Sequence, residues 1–421
     1  IYHRFGEMTK AAIAHEPMFE HFGLVCVGPI DGHDLPTLSD MFNEVKDIDR
    51  PVLLHCKTVK GKGFDFREGD ATTFHSPKPF RVEGCRVELQ SSGRSYTSAY
   101  ADAMAEVMQA DEKIFAITAA MPDGTGVSKL MTKFPDRTLD TGICESHAMD
   151  MCAGMAKAGM KPFFAVYSTF AQRALDQVFQ EVALQGLPVR VCMDRAGYVG
   201  GDGAVHHGFM DVSMFRVFPD VVLLSPIDEP TLKGSLKFMA DYDTAASFVR
   251  YPRDNVAEKP VQDNPPAFEL GKANLIRSAK CDKPDVAVLA YGIIAYTALA
   301  AADQLAEQGY DVAVYDARFA KPVDINLVRQ LVEQGTPVVT IEENALAGGF
   351  GSAVLEACNE LHISTDNITR LGMPMKWVYQ DSRKSQLAEV GLDAAGIARS
   401  LRDALTRAAS KAQAQAVPVG K

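Results

Sequence analysis

Short apolar runs alternate with amphipathic stretches along most of the chain, the pattern of strands and helices taken in turn. Near the start, residues 7–15 have helical spacing and 23–27 form a short apolar run. Pro29-Ile30-Asp31-Gly32-His33-Asp34 carries turn chemistry, 35–45 reads as a second helix and 51–56 as the next strand. Strand, helix, strand with a short connection predicts parallel pairing. From Lys57 to Gly93 the chain turns polar and irregular, punctuated by Gly61, Gly63, Pro77 and Pro79, and reads as a linker. A helix over 96–108 then leads into strands expected at 114–119, 137–140, 162–167, 188–194 and 221–225, with a helix over 172–184. A third set of strands is expected at 286–290, 311–315 and 338–342.

The pattern predicts an α/β fold with mainly parallel sheets in tandem domains. Residues 1–60 are the end of one domain, too small to make a stable α/β core alone. A linker (61–92), a second domain (93–262), a third (263–408) and a flexible tail (409–421) follow. The longest apolar stretches, such as 285–290 and 337–341, have strand length and fall far short of the roughly 20 residues a membrane-crossing helix needs. Ile1-Tyr2-His3-Arg4 has no initiator Met, apolar core or cleavage pattern, so no signal peptide is expected and the chain is read as starting mid-protein.

Composition narrows the partners. The chain has 421 residues, 47% of them hydrophobic, and a net charge of −11 without a long basic run, so neither a nucleic acid nor an anionic membrane has an electrostatic footing. Small molecules and proteins remain. Eight cysteines are scattered with no C-x-x-C pair, as expected of reduced, mostly buried thiols in a cytosol.

Candidate chemistry gathers where strands end. In Asp140-Thr141-Gly142-Ile143-Cys144-Glu145-Ser146-His147 a carboxylate stands at the entrance of a helix expected to begin near His147. It fits a site acid, and it fits equally a first-turn carboxylate answering the helix dipole. Tyr167-Ser168-Thr169-Phe170-Ala171-Gln172-Arg173-Ala174-Leu175-Asp176 puts two aromatics and a guanidinium at the next strand end. A ligand site and a core aromatic beside an Arg173–Asp176 surface pair are both compatible with it. Asp194 to Gly208 holds five glycines and the pair His206-His207, so a long loop suited to holding substrate is expected there. Asp202 between two glycines suggests a metal ligand, a reading set aside because the first asparagine downstream is Asn255. Arg195 and Arg253, each after a strand end, suit phosphate capture or a simple pair with a nearby acid. The cluster around Gly348-Gly349-Phe350-Gly351 lacks the phosphate-loop spacing and reads as a strand-to-helix turn.

Read in order, Gly28-Pro29-Ile30-Asp31-Gly32-His33-Asp34, Lys60-Gly61-Lys62-Gly63, Thr73-Phe74-His75, Asp140 to His147, Tyr167-Ser168-Thr169-Phe170, Asp194-Arg195, Asp202-Gly203, Tyr251-Pro252-Arg253 and Glu342-Glu343-Asn344 form a set. The chain resembles the 1-deoxy-D-xylulose-5-phosphate synthases, thiamine diphosphate enzymes of the transketolase superfamily. The resemblance implies the end of a diphosphate-binding domain followed by a pyrimidine-binding and a transketolase C-terminal domain. It implies decarboxylation of pyruvate and condensation with D-glyceraldehyde 3-phosphate, an early step of isoprenoid precursor synthesis. By the same resemblance Glu145 acts on the cofactor pyrimidine, Phe170 stacks on it and Lys60 lies near the diphosphate. His75 and His206 move protons or hold substrate, Arg195 and Arg253 clamp the aldehyde's phosphate, and Tyr167, Arg173 and Asp202 line the pocket. Magnesium ligands are expected upstream, outside this chain, so the chain alone is expected to be inactive. A cytoplasmic homodimer, or pairing with a chain carrying the N-terminal domain, is implied.

The sequence departs from the family pattern at Cys144 and Ser146, at Ala204-Val205 and at Asp254, whose acid beside Arg253 is expected to loosen a phosphate grip. Alternatives that share the last two domains are a transketolase C-terminal subunit and a 2-oxo acid dehydrogenase beta subunit. A catalytically inactive partner protein is the alternative of a different class.

Overall fold

The computed structural model describes residues 17–63, 80–83, 86–89 and 93–416. The chain divides into two compact units, 1–92 and 93–421. The expected helix at 7–15 lies outside the described residues.

In the first unit, β1 (Val25–Asp31) pairs in parallel with β2 (Val52–Lys57) across the helix Leu35–Val45. Asp34 caps that helix, its Oδ1 accepting from Thr37 N at 3.2 Å. The strand passes through Pro29 and Ile30, where a turn was expected. The ladder slips between Val27 and Ile30, since proline has no N–H to give it, and resumes at Ile30 and Asp31. Within the expected linker, β3 (Phe80–Glu83) and β4 (Arg86–Leu89) form an antiparallel hairpin.

The second unit holds two sheets. One contains β5 (Ile114–Thr118), β6 (Thr138–Asp140), β7 (Lys161–Tyr167), β8 (Arg190–Asp194), β9 (Val222–Leu224), β10 (Ser247–Arg250) and β14 (Phe319–Lys321), in the order β14-β9-β10-β8-β7-β5-β6. All its pairs are parallel except β14 with β9. The other contains β11 (Asn274–Arg277), β12 (Val286–Tyr291), β13 (Val312–Asp316), β15 (Val338–Ala345) and β16 (Ile368–Met373), in the order β11-β13-β12-β15-β16. Only β11 runs antiparallel there. Helices cover both faces, so the central strands are buried from end to end, as β8 and β12 are. The expected boundary near residue 262 is crossed by β14, which lends an edge strand to the sheet of the preceding segment. One apolar cluster accordingly includes Phe248 of the first sheet and Leu289 of the second.

Three further expectations change. The helix after β6 begins at Glu145, not near His147, with Cys144 as its N-cap. The run 172–184 is divided into a 3₁₀ turn (Gln172–Ala174), an α turn (Leu175–Gln177) and a π-helical stretch (Val178–Ala183), whose wider turn still keeps Val178 and Val182 in the core. The last helix, Ala394–Ala416, continues into the expected flexible tail. The described cysteines are all free, but Cys56, Cys144 and Cys281 are exposed. No helix among the described residues is long and apolar enough to cross a membrane.

The glycine cluster at 348–351 is a strand-to-helix turn, and its anion is the chain's own. Glu342 on β15 accepts from Phe350 N at 2.6 Å and Gly351 N at 2.8 Å, capping the helix Phe350–Glu360. Burial pushes this carboxyl up to about 7 from an ordinary 4.5, the two N–H donors only partly opposing it. Between those values the folded state holds a proton the unfolded state has released, so this group makes stability fall as pH rises. The wild type's stability relative to Glu342→Gln is therefore predicted to decline steadily from about pH 4.5 to 7 in urea titrations, and a constant gap would contradict the burial argument.

Candidate active site

Parallel strands end on one edge of a sheet, and in α/β folds that edge carries the ligand. Here β6, β7, β8 and β10 end beside Glu145, Tyr167, Arg195 and Arg253 respectively. Four of the expected residues thus share one sheet edge because of topology, not sequence proximity.

Glu145 is 3% exposed at the first position of its helix. Its Oε1 accepts from Arg173 Nη1 at 2.6 Å, and Arg173 is itself half-exposed. The expected Arg173–Asp176 surface pair does not form: Arg173 turns to Glu145, and Asp176 instead accepts from Gln180. The Arg173 guanidinium also lies 4.5 Å from the Phe170 ring centre. Phe170 stacks on Tyr167 with centroids 5.8 Å apart and meets the edge of His206 at 5.5 Å. A buried acid is thereby joined through Arg173 to a flat aromatic shelf.

Arg195 stands over the Tyr167 ring at 3.9 Å and bonds Asp194 at 3.0 Å and the Gly124 carbonyl at 2.5 Å. Its backbone is left-handed (φ 65°), a conformation stabilised by Asp194 Oδ1, which accepts from Arg195 N at 2.7 Å. Burial raises the Asp194 carboxyl above its ordinary range, against the pull of Arg195 and of Thr97, whose hydroxyl donates to it at 3.0 Å. Burial likewise raises the Tyr167 phenol. A Cβ at residue 124 would lie 1.9 Å from Tyr167 Oη and 2.8 Å from its Cζ, so any larger residue there would displace the Tyr167 ring.

The loop after β8 folds into two 3₁₀ turns, Gly200–Asp202 and Ala204–His206. Asp202 pairs with Arg253 at 3.0 Å, and His206 Nδ1 lies 3.1 Å from the Asp202 carbonyl. His207 faces inward, its ring bonded to Val199 N and the Val378 carbonyl, and burial lowers its basicity. Of the two histidines, His206 is therefore the one facing the aromatic shelf. Asp254 is paired away from Arg253: its Oδ2 accepts from Arg383 Nη1 at 2.8 Å. Lys60 is exposed in the turn after β2 of the first unit, and His75 lies outside the described residues.

Sequence reasoning missed the support beneath this site. Asp211 and Arg250 form a buried ion pair at 2.9 Å. Asp211 Oδ2 also accepts from Ser168 Oγ at 3.0 Å, while Arg250 donates to the carbonyls of Gly208 and Glu343. A charge ending the apolar run Ser247-Phe248-Val249 was the available signal.

Residues 92–259 match the family described as Transketolase, pyrimidine binding domain, residues 271–397 match Transketolase, C-terminal domain, and residues 1–58 match 1-deoxy-D-xylulose-5-phosphate synthase. A 1-deoxy-D-xylulose-5-phosphate synthase of Anaeromyxobacter sp. (strain Fw109-5) is 42% identical over 94% of this chain and 62% of its own length. One from Geobacter metallireducens is 40% identical over 95% of this chain and 63% of its own length. The chain thus spans about three fifths of these curated relatives. Among solved structures, a split gene transketolase described as an inactive beta4 tetramer superposes with a TM-score of 0.64 at 29% identity, over 75% of this chain and 99% of that one. A transketolase from Leishmania mexicana shares the fold at a TM-score of 0.63 and 17% identity, over 76% of this chain and 46% of that one.

Removing one partner of the Arg250–Asp211 pair strands a buried charge, so Asp211→Ala is predicted to lower unfolding free energy by about 3–5 kcal/mol in urea denaturation. A loss below about 1 kcal/mol would show that the pair does not hold the site's floor.

Proposed function

We propose, for a chain that belongs to the family of 1-deoxy-D-xylulose-5-phosphate synthases, that it supplies the pyrimidine-binding and C-terminal portions of a thiamine diphosphate-dependent transferase joining pyruvate to D-glyceraldehyde 3-phosphate. The observation that carries the proposal is the buried Glu145 carboxyl joined through Arg173 to the Phe170 shelf. An aminopyrimidine is flat and basic at a ring nitrogen, and an acid next to a stacking face suits it. Bound there, thiamine diphosphate supplies the carbon centre that makes a 2-oxo acid lose carbon dioxide.

The chain's own residues have distinct tasks in this reading. Glu145 shares a proton with the pyrimidine ring nitrogen, and Arg173 orients its carboxyl by their 2.6 Å contact. Phe170 sets the plane of the ring. His206, against the shelf, hydrogen-bonds substrate or passes a proton at an imidazole nitrogen, and by resemblance His75 shares that work. Tyr167 and Asp202 wall the pocket. Arg253 and Arg195 receive the phosphate, with Arg253 the more accessible: its side chain is 44% exposed and that of Arg195 12%. Lys60 is assigned to the diphosphate by resemblance, and Mg²⁺ to ligands upstream of the matched segments.

The domain limits proposed are 1–60, 93–262 and 263–408; the intervening 61–92 contains the β3–β4 hairpin, and the last helix runs on through residue 416. The free cysteines support a cytoplasmic protein. The likeness to a split gene transketolase supports pairing with a chain that carries the diphosphate-binding portion, and dimerisation is proposed on the family resemblance.

Alone, the chain is predicted not to consume pyruvate and D-glyceraldehyde 3-phosphate; joined or mixed with the N-terminal portion, it is predicted to do so in a coupled carbon dioxide assay. No consumption by either assembly would refute the assignment. In the active assembly, Arg253→Met is predicted to weaken binding of the phosphorylated aldehyde about tenfold to a hundredfold, the worth of one charge-assisted phosphate contact.

A further inference from the structure

An acid next to a phosphate-binding arginine is a resident competitor for it. Asp254 follows Arg253 directly in the chain, and the two side chains nevertheless have separate partners. Arg253 Nε pairs with Asp202 Oδ2 at 3.0 Å and its Nη1 donates to the Val199 carbonyl at 3.3 Å. Asp254 is held from the other direction, by Arg383 Nη1 at 2.8 Å. The second Nη of Arg383 bonds Glu343 on β15, so this guanidinium is shared between two carboxylates, and its side chain is only 16% exposed.

The helix Arg383–Glu389 also holds the loop that Arg253 leans on. Gln386, fully buried, accepts from Gly200 N at 3.0 Å, and Gln380, just before this helix, donates to the Gly201 carbonyl at 2.8 Å. The approach is close enough that a Cβ on Gly200 would lie 3.2 Å from Arg383 N. One short stretch of the C-terminal segment thus fixes the loop under Arg253 and removes the acid beside it.

We propose that Arg383 is a positioning residue for acceptor specificity: by neutralising Asp254 it leaves Arg253 to bind the anionic end of a phosphorylated aldehyde. The proposal rests on the substrate reading given above. Two opposed charges are used, +1 on Arg383 and −1 on Asp254, so deleting both restores the local balance that deleting one upsets.

The test compares Arg383→Gln, Asp254→Gly and the double variant in the active assembly. It reads KM and kcat with D-glyceraldehyde 3-phosphate and with unphosphorylated D-glyceraldehyde, together with the dissociation constant of D-glyceraldehyde 3-phosphate by calorimetry. Arg383→Gln is expected to raise the KM and dissociation constant of the phosphorylated aldehyde about threefold to tenfold, with kcat and the unphosphorylated aldehyde little changed. Asp254→Gly is expected to bind at least as well as wild type, and the double variant to return to wild-type affinity. Arg383→Gln also deprives buried Glu343 of its partner, but the double variant shares that lesion, so rescue cannot come from refolding. Rescue by Glu343→Gln in place of Asp254→Gly, failure of the double variant to recover, or equal losses for both aldehydes would overturn the proposal. Arg253→Met separates the two readings. If it leaves the dissociation constant unchanged, the substrate assignment of Arg253 fails and the latch with it; if it weakens binding while Arg383→Gln does not, only the latch is overturned.

Discussion

The structure of the larger unit turns on one ion pair removed from water. Arg250 ends β10 and Asp211 opens the short helix Asp211–Phe215, and both are almost wholly buried. Two charges in such a place are tolerated only when nearly every polar atom is satisfied. That demand recruits Ser168, the Gly208 carbonyl and the Glu343 carbonyl. Each recruit belongs to a different working part: Ser168 begins the turn carrying Phe170, Gly208 closes the loop carrying His206, and Glu343 lies on β15 of the other sheet. The pair therefore fixes the aromatic shelf, the glycine-rich loop and the C-terminal segment relative to one another.

The site follows from the sheet above this floor. Parallel strands deliver their last residues to a common edge, so Glu145 and Arg253 share it and are linked by contacts through Arg173, Phe170, His206 and Asp202. Short-range chemistry then divides their labour. Arg173 is spent on Glu145, Arg195 on Asp194 and Arg253 on Asp202. Three arginines near one edge are thus each answered by one acid, and Arg253, whose side chain is more exposed than that of Arg195, is left with more to offer an incoming anion.

Much of this was legible in the chain before its coordinates. Apolar runs at 162–167, 188–194 and 286–290 placed β7, β8 and β12 closely, because buried parallel strands are apolar throughout. The candidate residues were legible as words at strand ends, where Phe170 meets His206 and Arg173 links Phe170 to Glu145. What was not legible depends on distant partners. Nothing local announces that Phe319–Lys321 will add an edge to another segment's sheet, or that Arg173 will turn to Glu145 across the start of a helix. Asp254 looked like a hazard to Arg253 because its partner, Arg383, lies far along the chain. The strand through Pro29 was hidden by turn-forming residues that a bulged edge also accepts.

The proposed function requires the buried Glu145 carboxyl to share a proton with the ring nitrogen of a bound aminopyrimidine. Exchange of the C2 hydrogen of thiamine diphosphate for deuterium, followed by quenched-flow NMR in the complete assembly at saturating cofactor, reads that contact without any substrate. Glu145→Gln should slow the exchange by about 10²–10⁴-fold, the usual contribution of a positioned acid–base group. Exchange at the wild-type rate in that variant, with the cofactor shown to be bound, would contradict it.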